Sequence, residues 1–207
     1  MVKHFMLFAV VLACLAGRLA AEEARVVFED RFDAKPAEGW TWLREDAEAW
    51  RLREGALEIR NLPGDAHSVQ NALLRPAFDH NGGTYAYEVT VASLAEPTEQ
   101  YEQAGITWYQ DGKPVFKFVK ERIDGKLYVF PGRMPMDKQT VTLRLIIGKE
   151  RWIAQFRPKD QESFQKAAEG AMPTGAKDQV SIQCYHGPAD KEHWVRFDDF
   201  RILRMSD

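Results

Sequence analysis

Cysteine is nearly absent from this chain of 207 residues: two occur, Cys14 and Cys184, and Cys14 lies inside the N-terminal apolar run. A chain processed beyond that run keeps one thiol and makes no internal disulfide. That excludes the cross-linked scaffolds of small secreted domains and leaves the core to hold the fold. Cys184 follows Ile182 in an alternating apolar strand, the place of a small buried side chain. Long apolar runs are lacking too. Phe5 to Ala16 is well short of the roughly 20 residues a transmembrane helix needs, so no stable membrane insertion is expected. Excess positive charge is missing as well: 28 Lys and Arg stand against 31 Asp and Glu, a net charge of −3, which gives no electrostatic footprint for nucleic acid. Nor is there a Gly-x-Ser-x-Gly elbow, a His-Glu-x-x-His pair or a Cys-x-x-Cys motif.

What is present begins with an export pattern. Basic Lys3 and His4, the apolar run, small residues up to Ala20 and Ala21, then Glu22 and Glu23 follow the order of a secretory signal peptide. Residues 1–21 are therefore expected to be a signal peptide cleaved near Ala21, and the protein to be periplasmic or secreted. The rival is lipoprotein processing at Cys14, where Val11-Leu12-Ala13-Cys14 loosely resembles a lipobox but sits deep in the apolar run. Cleavage leaves residues 22–207, enough for one sizeable core and too few for two comfortable domains. It also removes Lys3 and Arg18 and no acid, so the remaining surface is mildly acidic.

From there the sequence alternates in twos. Val141, Leu143, Leu145 and Ile147 share a face opposite Thr142, Arg144 and Ile146; Val180, Ile182 and Cys184 oppose Ser181, Gln183 and Tyr185; Tyr85, Tyr87, Val89 and Val91 oppose Ala86, Glu88 and Thr90. One apolar face at period two is the pattern of half-buried antiparallel strands. Asp111-Gly112 and Asp124-Gly125 divide the runs, supplying the positive backbone angles of tight hairpins, and Gly55 turns the chain between Trp50–Leu52 and Leu57–Ile59. Parity fails at Asp198-Asp199, since Val195 and Phe197 point one way and Phe200 and Ile202 the other; a β-bulge there returns both pairs to the core. Residues 160–168, rich in Gln, Glu, Lys and Ala between Pro158 and Gly170, read as the one short helix. For residues 115–121 parity leaves open which face is inside.

Three segments together carry a family likeness: Phe28-Glu29-Asp30-Arg31-Phe32-Asp33 leading to Gly39-Trp40 and then Trp50 through Ile59; Gln103-Ala104-Gly105-Ile106-Thr107-Trp108-Tyr109; and Tyr185-His186-Gly187 followed by Trp194 through Ile202. In order and spacing they resemble the concanavalin A-like lectin/glucanase superfamily, above all small secreted bacterial domains of the DUF1349 and DUF1080 type and the accessory sandwich of family 43 xylosidases. The resemblance implies an all-β jelly-roll sandwich of two antiparallel sheets, with an oligo- or polysaccharide bound across a concave face. Catalytic members often carry Glu-x-Asp-x-Glu on one strand, which is missing here. The His-Gly of the DUF1080 ending is present as His186-Gly187, but Phe197-Asp198-Asp199-Phe200 replaces the aromatic-Arg-Asn-Ile run that follows it.

Two sets of site residues follow. Tyr109, Arg144, Gln155, Arg157, Gln183 and Tyr185, with His186 at the rim, combine hydrogen-bonding forks with aromatic platforms, as a saccharide requires; an ordinary solvated face shows the same alternation. Glu29, Asp30, Asp198 and Asp199 are candidate oxygen ligands for a structural Ca²⁺, a role related sandwiches give a terminal aspartate; the alternative is that they cap backbone donors or pair with nearby arginines. The expected function is a non-catalytic carbohydrate-binding or cell-surface module. The alternatives are a glycoside hydrolase-like enzyme built on Glu88, Glu121 or Asp111, or a sandwich that binds a protein.

Overall fold

A computed structural model describes residues 24–206. The expected signal peptide, its cleavage site and Cys14 lie outside the described residues. In chain order the strands are β1 (Arg25–Asp30), β2 (Thr41–Leu43), β3 (Trp50–Leu52), β4 (Leu57–Arg60) and β5 (Ala72–Pro76). Then come β6 (Tyr85–Ser93), β7 (Gln103–Gln110), β8 (Lys113–Ile123), β9 (Lys126–Phe130) and β10 (Met134–Met136). The last five are β11 (Thr140–Ile147), β12 (Arg151–Pro158), β13 (Gln165–Ala171), β14 (Gln179–Tyr185) and β15 (Trp194–Arg204). They form two antiparallel sheets. One has eight strands in the order β13-β12-β11-β6-β15-β4-β3, with β1 also on β15; the other has seven in the order β10-β9-β8-β7-β14-β5-β2.

The alternating apolar faces meet between the sheets. Val141, Leu143, Leu145, Tyr87, Val89, Phe197 and Ile202 from the first pack with Ile106, Trp108, Phe118, Val180 and Ile182 from the second, all essentially inaccessible to water. Burial of this kind yields about 25 cal/mol per Å² of apolar surface and supplies the driving force that no disulfide provides. Cys184 belongs to this core, and burial pushes its thiol well above the ordinary range. At the Asp111-Gly112 and Asp124-Gly125 turns both residues have positive φ, 49° and 73° in the first and 50° and 78° in the second, as two-residue hairpins of this hand require.

The terminal strands close on each other as the sequence suggests: β1 pairs with β15, Glu29 opposite Arg201 and Asp30 opposite Phe200. The bulge forms at the two aspartates. The β15–β6 register shifts between Asp198 and Arg201, Asp199 takes φ 49°, and Val195, Phe197, Phe200 and Ile202 all reach the core.

The expected helix over residues 160–168 is not formed. The chain turns and enters β13, and the one helical element among the described residues is the single 3-10 turn Ala47–Ala49. The reason is tertiary. The far edge of β12 needs hydrogen-bond partners, and pairing with β13 supplies them despite the helical propensity of Gln, Glu, Lys and Ala. At residues 115–121 the structure resolves the parity: Phe116 and Phe118 turn inward and Lys120 follows them, 2% exposed, its Nζ donating to Ser93 Oγ (2.5 Å) and the Gln139 carbonyl (2.6 Å).

Candidate functional site

On the outer face of the seven-stranded sheet, register brings Glu121 of β8, Gln103 of β7 and Tyr185 of β14 into one row. Gln103 Nε2 donates to the Tyr101 carbonyl (2.7 Å) and to Glu121 Oε1 (3.1 Å). Lys117 Nζ, four residues along β8 from Glu121, donates to Gln103 Oε1 (2.7 Å) and to both Glu121 oxygens (3.1 and 3.3 Å). Gln103 and Glu121 are each 3% exposed. A carboxylate at such depth persists because its oxygens are matched; removing the half-buried Lys117 would strand Glu121.

Above this network lies a cleft of about 470 Å³. Its rim is largely aromatic: Tyr101, Phe130, Tyr185, His67 and His186 line it. Tyr185 and His186 have ring centroids 5.6 Å apart, Tyr101 and His186 6.4 Å, and Lys117 Nζ lies 5.0 Å from the Phe130 ring centroid. Burial first, and then the Glu121 charge, hold the Tyr185 phenol above its usual range, so it stays protonated at neutral pH.

Loops place the rim. Glu102 is turned away from the cleft, accepting from Thr98 N (2.8 Å) and Glu99 N (3.2 Å) and pairing with His193 Nδ1 (2.8 Å), which pins the loop that carries Tyr101. The loop bearing His67 folds around Asp65, whose Oδ1 accepts from His67 N, Ser68 N and Ser68 Oγ at 2.8–3.0 Å. Those bonds hold the Asp65 carboxyl below its ordinary range.

Next to the cleft the same face is sealed. Tyr109 OH (2.9 Å) and Ser181 Oγ (2.7 Å) donate to Gln183 Oε1 beneath a small apolar cluster of Val69, Ala72, Leu74, Tyr109 and Tyr185, backed by Leu43 and Ala66. The expected ligand-binding set is thus divided. Tyr185 and His186 line the cleft, whereas Tyr109 and Gln183 lie buried under the loop of residues 61–71. Arg144, Gln155 and Arg157 belong to the other sheet, on β11 and β12. Sequence reading also missed Tyr101, Gln103, His67 and Phe130, whereas Lys117 paired with Glu121 in a groove was one of the two readings that parity allowed for residues 115–121. Gln103 shares its parity with Thr107 and Tyr109, a signal that was available; Tyr101 and His67 sit in loops without periodicity.

The outer face of the eight-stranded sheet is built from charge. Glu88 on β6 lies between Arg144 of β11, a close hydrogen-bond partner, and Arg201 of β15, whose Nε is 2.7 Å from Oε2. Glu58 on β4 lies between Arg51 (2.6 Å) and Arg196 (3.6 Å) in the same way. Glu88 and Glu121, two of the carboxylates on which a hydrolase would be built, are on different sheets and do not form an acidic pair. Asp111 occupies the β7–β8 turn and accepts weakly from Ala176 N (3.4 Å).

Of the carboxylates expected to hold calcium, Asp30 is buried and accepts three N–H groups: Phe32 N (2.8 Å), Ala37 N (2.7 Å) and Trp40 Nε1 (2.9 Å). Glu29 pairs with Arg31 (3.2 Å), and Asp198 Oδ1 accepts from Asp199 N (2.8 Å). Among the described residues no group of three or more His, Cys, Asp or Glu side chains is arranged to hold a metal ion.

Solved structures share this architecture. The GH43 protein BlXynB from Bacillus licheniformis superposes with a TM-score of 0.70 at 20% identity, over 85% of this chain and 39% of that one. A functionally unknown protein from Saccharomyces cerevisiae gives 0.55 at 14% identity, over 82% of this chain and 98% of its own. A third comes from work on endo-acting O-glycanases that prominent members of the human gut microbiota express to initiate mucin breakdown; it gives 0.56 at 12% identity, over 88% and 100%. At such identities the likeness is one of fold, and the chain spans only about two-fifths of the GH43 protein. No protein-family model matches the chain, and no curated protein matches it significantly.

Proposed function

We propose that this protein is an exported, non-catalytic saccharide-binding sandwich whose ligand lies in the aromatic-rimmed cleft of the seven-stranded sheet. One observation carries the reading: a matched Lys117–Glu121–Gln103 network forms the base of a cleft walled by rings. Saccharides are recognised by planar polar groups that take pairs of hydroxyls and by flat rings that cover the apolar faces of pyranoses. Here both are side by side. Neighbours of the same fold include glycan-active proteins, which supports a sugar-related role without fixing an activity. Export, read from residues 1–21, puts the cleft where polysaccharide is met.

Binding is favoured over catalysis by how Glu121 is used. Its Oε1 accepts from Gln103 and Lys117 and its Oε2 from Lys117, so the carboxylate is committed to holding the floor. A glycoside hydrolase remains the second reading because Glu121 and Asp65 line one cleft, and such chemistry uses two carboxylates on either side of a glycosidic bond. A glycan array probed with wild type and Tyr101→Ala separates the readings. Saccharide signals that weaken about tenfold in the variant are expected, and aggregation-free protein that binds no glycan would sink the proposal. Reducing-sugar release that disappears in Glu121→Gln would move the assignment to hydrolysis.

A further inference from the structure

A second cleft, of about 630 Å³, crosses the outer face of the eight-stranded sheet and shares no residue with the first. Its floor is small and hydroxylated. Thr90 and Ala92 of β6 lie beside Thr140 and Thr142 of β11, with the Thr90 and Thr142 hydroxyl oxygens 3.1 Å apart. Arg157 of β12 and the following Lys159 form one wall, and Arg196 and Asp198 of β15 form the other.

The charges are unevenly matched. On this face Arg144 and Arg201 share Glu88, Arg51 and Arg196 share Glu58, and Arg196 also approaches Asp198 (3.9 Å). Arg157 and Lys159 have no carboxylate partner among the described residues, and both face the cleft. The Arg157 guanidinium is nonetheless held: it lies 4.8 Å from the centroid of the Phe164 ring, which Arg144 also covers at 3.7 Å, and Nη1 reaches the Glu162 carbonyl at 3.5 Å. It is a pre-oriented cation with N–H donors to spare.

We propose that this cleft is a second saccharide site, selective for sugars that carry an anionic group, uronate or sulfate. A guanidinium fork suits both anions, and the neighbouring ammonium adds charge without demanding geometry. The threonine hydroxyls both donate and accept, as sugar hydroxyls do, and the Glu162 carboxylate on the rim takes hydroxyl donors. The volume is within the range of about 300–1,000 Å³ common for small-ligand sites. A densely charged polyanion is disfavoured, because the chain as a whole carries a net charge of −3. One anionic group among many hydroxyls is the chemistry that matches.

The test is calorimetric titration of the full protein with three oligosaccharides of equal length: one carrying a single uronate, one carrying a single sulfate and one neutral. Wild type is compared with Arg157→Gln/Lys159→Gln, with the single exposed change Lys159→Gln in case the double variant is unstable, and with Tyr101→Ala in the opposite cleft. At least one acidic ligand should bind, lose about tenfold in affinity in the double variant and several-fold in Lys159→Gln, weaken with added salt, and be unaffected by Tyr101→Ala. Whichever acid responds names the anion. The proposal is overturned if neither acidic ligand binds, if the Arg157 and Lys159 variants bind as wild type, or if Tyr101→Ala abolishes the binding. Failure of neutral-sugar binding alone would count against the first cleft and leave this one standing.

Discussion

On the eight-stranded sheet, Glu58 and Glu88 point away from the core yet are only 2% and 1% exposed, because arginines from the flanking strands close over them. On the seven-stranded sheet the equivalent outward positions carry Gln103, Thr107, Tyr109, Ser181 and Gln183, and a loop closes over most of them. The first face satisfies its charges within itself and leaves two cations over at one cleft. The second carries mostly neutral groups and rings beside the Lys117–Glu121 pair, and stays open only where Tyr101, His67 and His186 stand back from the floor. A polar strand face can therefore be a finished ladder or an unfinished binding surface, and the distinction lies in which partners the neighbouring strands supply.

The comparison can be broken most severely at Glu88. Glu88→Ala leaves Arg144 and Arg201 without their shared carboxylate. About 2–3 kcal/mol of stability should be lost in urea denaturation, with saccharide affinity at the opposite cleft unchanged. A loss of binding in that variant would mean the two faces are not independent. Tyr101→Ala should do the reverse, since the ring is exposed: about tenfold weaker saccharide binding, roughly 1.4 kcal/mol, at unchanged stability.

Lys120, inside the seven-stranded sheet, gives a pH signature. Burial lowers its pKa from 10.5 to about 7 in the folded protein, against a smaller opposing effect of Glu102. Between those values the unfolded chain binds the proton that the folded protein lacks. Stability should therefore rise as pH increases from about 7 towards 10, by at most about 1.4 kcal/mol per unit. Melting curves that rise with pH in wild type and lose that slope in Lys120→Met would establish the effect; an unchanged slope in the variant would refute it. The smallest change is expected at Lys166, whose pair with Glu169 (2.8 Å) is exposed on both sides. Lys166→Ala should cost less than about 0.5 kcal/mol, which separates a true ladder from a surface ion pair on the same sheet.

Much of the fold was legible because period two is a local signal. Val141 to Ile147 and Val180 to Cys184 announce their core faces, Asp-Gly pairs announce their turns, and the parity break at Asp198-Asp199 announces the bulge. Parity is silent on which sheet a strand joins. Arg144 and Gln183 looked equivalent in sequence and lie on opposite faces of the sandwich. It is equally silent on long-range cover: nothing local marks Val69 as the lid over Tyr109, or Tyr101 as a wall beside Tyr185. The helix expected at 160–168 failed for the same reason, since the open edge of β12 is a tertiary fact.

The most direct test of the saccharide-binding account is residue-level mapping of the bound ligand. Amide chemical shifts of the isotope-labelled protein would be followed during titration with a neutral oligosaccharide selected from the glycan array. Changes should centre on Tyr101, Gln103, Lys117, Tyr185 and His186, and should need about tenfold more ligand to saturate in Tyr101→Ala. Saturable changes confined to the eight-stranded face, with the aromatic-rimmed cleft unperturbed, would contradict it.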